Sequence, residues 1–169
     1  MKHLVRAYRV EDRTAVKNIA KELPGFFDPH VADYICLDAE SHHAAVCSNS
    51  DGSVYGFVVW IETSFEVEIV WVGVRASTQR RGAGASLVEF VLRSIDSNKI
   101  VVAKVGKLQE NTSYTKTVYD DLSKAEAFWN GMGFEAIGLL TSFWGDGNDA
   151  LVMRYTKGAG DDQELNGTQ

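Results

Sequence analysis

The chain is short of several things at once, and each shortage closes off a class of protein. It holds two cysteines in 169 residues, Cys36 and Cys47, with no CxxC spacing. A disulfide-stapled scaffold or a thiolate zinc site is therefore not what organises it, and both thiols read as small core residues of a reducing compartment. Two prolines leave no proline-rich linker. Apolar runs stop at about strand length, far below the roughly 20 residues that cross a bilayer. The opening MKHLVRAYRVED also lacks the apolar stretch of a signal peptide. A cytoplasmic protein with no membrane partner is the expectation, and the glycosylation-type triplets at Asn111 and Asn166 then read as chance. Positive charge is in deficit, 17 Lys and Arg against 23 Asp and Glu. That argues against a nucleic-acid backbone as main partner. It says little about small ligands, since local cationic groups survive in an acidic whole. No GxxxxGK[ST] loop and no complete GxGxxG fingerprint occurs. The adjacent His42 and His43 diverge along a strand and lack a completing carboxylate, so no metal is expected.

What is present is ordinary for a globular protein: 45% apolar and 24% charged residues, in a length that suits one domain. Residues 1–157 are expected to form that domain, with the polar, glycine-rich 158–169 as a flexible tail.

Periodicity supplies the elements. A first strand is predicted over 3–9 and a helix over 12–22. Asp12 is its candidate N-cap, and Ala15, Val16, Ile19, Ala20 and Leu23 make one apolar face. A shorter helix follows within FFDPHVADYICL, with Pro29 near its start. A hairpin comes next, with strands at 44–47 and 53–61 around a turn at 49–52. Another strand covers 66–74. From Gly84 the spacing of Leu87, Val88, Val91, Leu92 and Ile95 is helical. A strand at 100–105 leads into a polar loop through Asp121. Ser123 and Glu126 fit a capping box opening a late helix that Asn130-Gly131 closes. A last pair of strands is predicted at 134–144 and 150–155. The sum is an α+β domain, three-layered, with a mixed and mostly antiparallel sheet of six or seven strands flanked by helices.

Between the strand at 66–74 and the helix after it lies QRRGAGAS, residues 79–86. Backbone N–H groups at the first turn of a helix have no intrahelical partner and sit at the positive end of its dipole, a natural seat for phosphate. Gly82 and Gly84 clear side chains from that approach, and Arg80 and Arg81 add charge at its mouth. An ordinary structural turn accounts for the same residues, so the stretch alone leaves both readings open.

Three segments together resemble the GNAT superfamily of acyl-CoA-dependent N-acetyltransferases. Gln79-Arg80-Arg81-Gly82-Ala83-Gly84 matches its [Q/R]xxGx[G/A] signature. The strand Glu68-Ile69-Val70-Trp71-Val72-Gly73-Val74 is similar to that of the histone-acetylating branch. Ala127-Phe128-Trp129-Asn130-Gly131-Met132-Gly133-Phe134 resembles the family's late-helix ending. The resemblance spans about residues 3–156. It implies a sheet splayed between its fourth and fifth strands, around 71–74 and 100–105, with a bulge near Val72 or Gly73. It further implies acetyl-CoA as cofactor, with the pantetheine arm pairing to the main chain at Val72, Gly73 and Val74. The pyrophosphate would rest on Gln79, Arg80, Arg81, Gly82, Ala83, Gly84 and Ala85, and Phe128 would join the cofactor set. Gly73 could equally relieve crowding within the sheet.

The implied reaction is direct attack of an amine on a thioester, which requires the amine to lose a proton. Glu68 occupies the general-base position of the resembled strand, with Glu66 and the more distant Glu62 in reserve; a solvated strand face is the bland reading of the first two. By resemblance, the backbone N–H of Val72 serves the carbonyl oxygen. Many relatives carry a tyrosine where this chain has Trp129, and an indole cannot protonate a thiolate. Either no dedicated acid is needed, or Tyr114 or Tyr119 supplies the proton, or the chain is a weakly active or inactive acyl-CoA-binding regulatory module. Phe26, Phe27, Trp144 and Asp146 are candidates for the acceptor wall. The acceptor is an amine on a small molecule, peptide or protein, and no segment identifies the interface of the homodimer common in that family.

Overall fold

The computed structural model describes residues 3–28, 30–109, 116–145 and 147–156, with the backbone alone at 116–119. In chain order the elements are β1 (Leu4–Ala7), α1 (Arg13–Lys21), α2 (Val31–Ser41), β2 (His43–Ser48), β3 (Val54–Glu62), β4 (Glu66–Val74), α3 (Ala83–Ser94), β5 (Ile100–Leu108), α4 (Lys116–Gly131), β6 (Phe134–Leu140) and β7 (Asn148–Tyr155). The strands form one seven-stranded sheet in the order β1-β2-β3-β4-β5-β7-β6. Every neighbouring pair is antiparallel except β4 and β5, which are parallel. This is the predicted mixed, mostly antiparallel architecture. Pro29 and the tail expected from 158 onward lie outside the described residues.

Helices cover both faces of the sheet. Val16, Ile19 and Ala20 of α1 and Ile35, Cys36 and Ala39 of α2 pack on Val46, Phe57 and Val59. On the opposite face Leu87, Val88 and Val91 of α3 and Trp129 of α4 pack on Val58, Val67, Ile69 and Met153. β3 is buried along nearly its whole length, which is why VYGFVVW reads as a continuous apolar run rather than an alternating one. Each large side chain buried here contributes about 1.5–3 kcal/mol of transfer free energy. Both cysteines are free and buried, as the composition implied.

Four local expectations need correction. Asp12 does not cap α1: its buried carboxylate is gripped by both terminal nitrogens of Arg6 (2.7 and 2.8 Å) and accepts the Arg9 N–H (2.9 Å). A bidentate guanidinium outbids a single helix N–H for the same oxygens. Ser123 does not open the late helix, which already runs from Lys116. Leu122 lies against Gly106 of β5, and with Ala125, Phe128 and Met132 it extends the packed seam one turn upstream of the capping-box pattern. For the same reason the polar loop predicted up to Asp121 is shortened at both ends, by β5 to Leu108 and by α4 from Lys116. Last, the bulge in β4 falls at Val70, earlier than Val72 or Gly73. Trp71 stands opposite Val59 while Ile69 stands opposite Trp60, leaving Val70 as the extra residue.

Candidate active site

The bulge and the strand order build a cleft. β4 and β5 pair only over Glu66–Ile69 and Ile100–Ala103; beyond Ile69 and Ala103 the parallel ladder ends. This is the splay expected at the fourth and fifth strands, opening at residues 70 and 104. On the other flank of β4, the Arg75 N–H donates to the Tyr55 carbonyl directly opposite (2.8 Å). Hydrogen-bonded and non-bonded pairs alternate along an antiparallel ladder. Gly73 therefore bonds to Phe57, and the N–H and C=O of Val72 and Val74 turn away from β3 into the opening. Two valine N–H groups thus face a gap across which β5 has diverged and no longer pairs.

At the outer end of this gap stands the glycine-rich turn. Gly82 has φ 87° and Arg80 φ 60°, both in the left-handed region. That conformation costs a non-glycine residue about 1–2 kcal/mol, so the strain at Arg80 is real. α3 begins with Ser86 N–H on the Gly82 carbonyl (2.9 Å). Among the described residues none of the six N–H groups over 80–85 donates a hydrogen bond. Neither exposed guanidinium, Arg80 or Arg81, forms an ion pair there. Six orphan donors and a helix start are what a diphosphate requires. The two glycines do different work. Gly82 supplies the left-handed angle, whereas a Cβ on Gly84 would stand 3.2 Å from the Phe128 ring, so its missing side chain is a packing surface. Gln79 ties the turn back by donating its amide to the Val74 carbonyl (3.0 Å). Ala83 is buried, and its carbonyl faces the Cys47 thiol, which burial pushes up to a pKa of about 11.

His3 also holds this turn, a residue not singled out from the sequence. Its Nε2 lies 2.5 Å from the Arg81 carbonyl and its Nδ1 2.8 Å from the Tyr55 hydroxyl. With Nε2 as donor, Nδ1 accepts from Tyr55. A trans peptide points its C=O and the following N–H in opposite directions, so holding the Arg81 carbonyl against His3 aims the Gly82 N–H outward. No local pattern reveals this link, which spans 78 positions.

Glu68 points to the α1/α2 face of the sheet near the start of the splay. Its Oε1 accepts from Lys104 Nζ at 2.5 Å, and both side chains are about one-quarter exposed, 27% and 24%. Lys104 is the first β5 residue past the last paired position, and its ammonium lies 5.8 Å from the Phe143 ring centroid. Glu66 is exposed at the strand's beginning. Glu62 is held by Lys99 (2.6 Å) and His43 (3.6 Å), and so belongs to a separate cluster. Trp71 donates to Asp38 (2.6 Å) and meets Phe27 edge-on. Phe143 and Trp144, beyond β6, are exposed and stacked edge to face. Asp149 stabilises that turn by accepting from the Ser142 N–H (2.7 Å) and Gln109 (2.8 Å). Trp129 is buried between Phe128 and Phe134 and faces the core. Tyr114, Asp146 and the side chain of Tyr119 lie outside the described residues. The sequence signal for Lys104 is a cation in the middle of the mostly apolar β5, whose other charged residue is Lys107 near its end.

No family profile and no curated protein matches the sequence. Solved structures do. A GNAT-family protein from Desulfovibrio desulfuricans superposes with a TM-score of 0.74 at 18% identity, over 90% of this chain and 98% of its own. An aminoglycoside 6'-N-acetyltransferase complexed with coenzyme A gives 0.68 at 14%, over 90% and 96%. The ribosomal-protein-S18-alanine N-acetyltransferase of Escherichia coli gives 0.69 at 15%, over 91% and 93%. The chain therefore has the GNAT fold, from its first strand to its last. Among the described residues no helix is long and apolar enough to cross a membrane.

Proposed function

We propose that the protein is an N-acetyltransferase that moves an acetyl group from acetyl-CoA to a primary amine. One observation carries this reading: two sets of unpartnered N–H donors, the Val72 and Val74 groups in the splay and the six at 80–85 in the turn, lie at the end of β4 and at the start of the helix that follows it. The first set suits the pantetheine amides at Val72 and Val74, with Gly73 between them bonded to Phe57, and the second suits the diphosphate at 80–85, with Gln79 bracing the turn and Phe128 packed beneath it at Gly84. Acetyl-CoA, when bound, supplies an acyl group activated as a thioester. The chain's own residues do the rest. Glu68 takes a proton from the amine, directly or through a water, as the nitrogen attacks the carbonyl carbon. The Val72 N–H donates to the carbonyl oxygen as negative charge gathers there. The thiolate leaves with little help, since a thiol has a pKa of about 8.5, and Trp129 is not needed as an acid. A cytoplasmic location and a small-molecule, peptide or protein amine as acceptor complete the reading.

Titrating CoA into the protein by calorimetry tests the cofactor, and thiol release over an amine panel tests the chemistry. Glu68→Gln should lower kcat by roughly 10²–10⁴-fold and leave CoA affinity within about twofold. Absence of CoA uptake refutes the cofactor seat; equal loss of binding and turnover refutes Glu68 as base. A second reading, an acyl-CoA-binding module with little chemistry, is favoured by the burial of Trp129 and by Lys104 on the carboxylate. Uptake of CoA without thiol release from any amine would select it.

A further inference from the structure

The candidate base is already holding an amine, and that restricts what else can approach it. Lys104 Nζ sits on Glu68 Oε1 in a partly desolvated spot at the mouth of the splay. Of the carboxylates on the same face of the sheet, Asp38 is committed to Trp71, and Glu66 lies one strand repeat back, exposed at the start of β4 and away from the splay. An acceptor bearing only an ammonium group would have to share Glu68 with Lys104. Two cations on one carboxylate repel, and the displaced one loses its partner where water is scarce. An acceptor that carries a carboxylate beside its amine has no such conflict. Its ammonium pairs with Glu68, its carboxylate pairs with Lys104, and one ion pair becomes two with no change of net charge in the cleft.

Resting on the function proposed above, we propose that the acceptor is an amino acid, bound between Glu68 and Lys104. Lys104 is then a specificity determinant that reads the carboxylate. The exposed Phe143 ring lies beside the Lys104 ammonium, and with Trp144 set edge-on against it offers an apolar wall to the acceptor's side chain. Phenylalanine, tryptophan and leucine fit that wall better than charged amino acids. The bond formed is N–C and the bond broken is C–S; of the two protons that leave the ammonium nitrogen, one passes to Glu68 and the other, released as the amide forms, neutralises the CoA thiolate through water.

The test compares matched pairs that differ only in the carboxylate: phenylalanine with phenethylamine, tryptophan with tryptamine, leucine with isoamylamine. In the wild-type chain, kcat/KM for the amino acid should exceed that for its decarboxylated partner by tenfold or more, the scale of a lost charge pair. Lys104→Met should bring that ratio to about one, and Lys104→Arg should keep it well above one. Calorimetric CoA titration of each variant establishes that it is folded and loaded. Equal use of both members of each pair by the wild type overturns the proposal, as does a ratio that Lys104→Met leaves unmoved. Turnover of simple amines but of no amino acid overturns it while leaving the acetyltransferase reading intact. A wild-type chain that takes up no CoA defeats that underlying reading instead, so the two failures are distinct.

Discussion

Replacing Gly73 with alanine distinguishes two jobs for a glycine at the rim of the cleft. An added Cβ would lie 2.5 and 2.7 Å from two ring carbons of Phe57, with Phe27 at 3.4 Å beyond. Carbon atoms in contact settle at about 3.5–4.0 Å, so the overlap is close to an ångström. The Phe57 ring is 1% exposed and packs in the α1/α2 core, so it has no empty space to enter. Overpacking of this kind costs about 1–3 kcal/mol, and the upper part of that range applies to a ring so confined. The better strand propensity of alanine returns roughly 0.5–1 kcal/mol. The net is a loss of about 2 kcal/mol, or roughly 4–8 °C in Tm for a chain of this size. Differential scanning calorimetry reads the shift directly. Phe57→Leu in the same chain should absorb part of the clash, so the double variant should lose about 1–2 kcal/mol less than the two singles added together. If Gly73→Ala melts within a degree of the wild type yet binds CoA tenfold more weakly, the packing argument is wrong and Gly73 is there for the ligand.

His3→Ala removes one neutral hydrogen bond from the diphosphate turn; at about 1 kcal/mol it should weaken CoA binding roughly fivefold with kcat unchanged, and His3→Gln should recover part of the loss. Calorimetric Kd values that match the wild type would show that the turn needs no such prop. The hydrogen bond from Arg6 holds the Asp12 carboxyl below the usual carboxylate range, against the opposing effect of burial. Because its folded pKa is depressed, that stabilisation is complete above the unfolded value of about 3.9 and is lost as pH falls through the lower folded value. Denaturant melts across the acid range should therefore show Asp12→Asn less stable near neutrality, with a shallower acid limb than the wild type.

Much of the fold was legible because its punctuation is local. Glycines flank the start of α3, an unbroken apolar run marks β3, and β4 was delimited at 66–74, as observed. The bulge was not, since Ile69 to Val74 are all apolar or glycine and no alternation marks the extra residue. The capping-box pattern at Ser123 misled because a helix interior satisfies the same spacing. Of the site, the turn and Glu68 could be read in sequence order. Lys104 and His3 could not: their partners lie 36 and 78 positions away, and only the strand order and the packing of β1 beside α3 bring them together. The contrast between Gly82 and Gly84 likewise depends on where Phe128 of a later helix comes to rest.

The seven strands are unevenly joined. Four strands on one flank and three on the other meet through just four residue pairs, Glu66–Ile69 with Ile100–Ala103. Any molecule that fills the wedge beyond them acts as a partial eighth strand, bridging two half-sheets that are otherwise tied at one corner. Thermal resilience should then depend on occupancy, rising by about 2.7 kcal/mol at a concentration one hundred times Kd. Amide exchange should slow most at Val72 and Val74, far more than in β2 or β7.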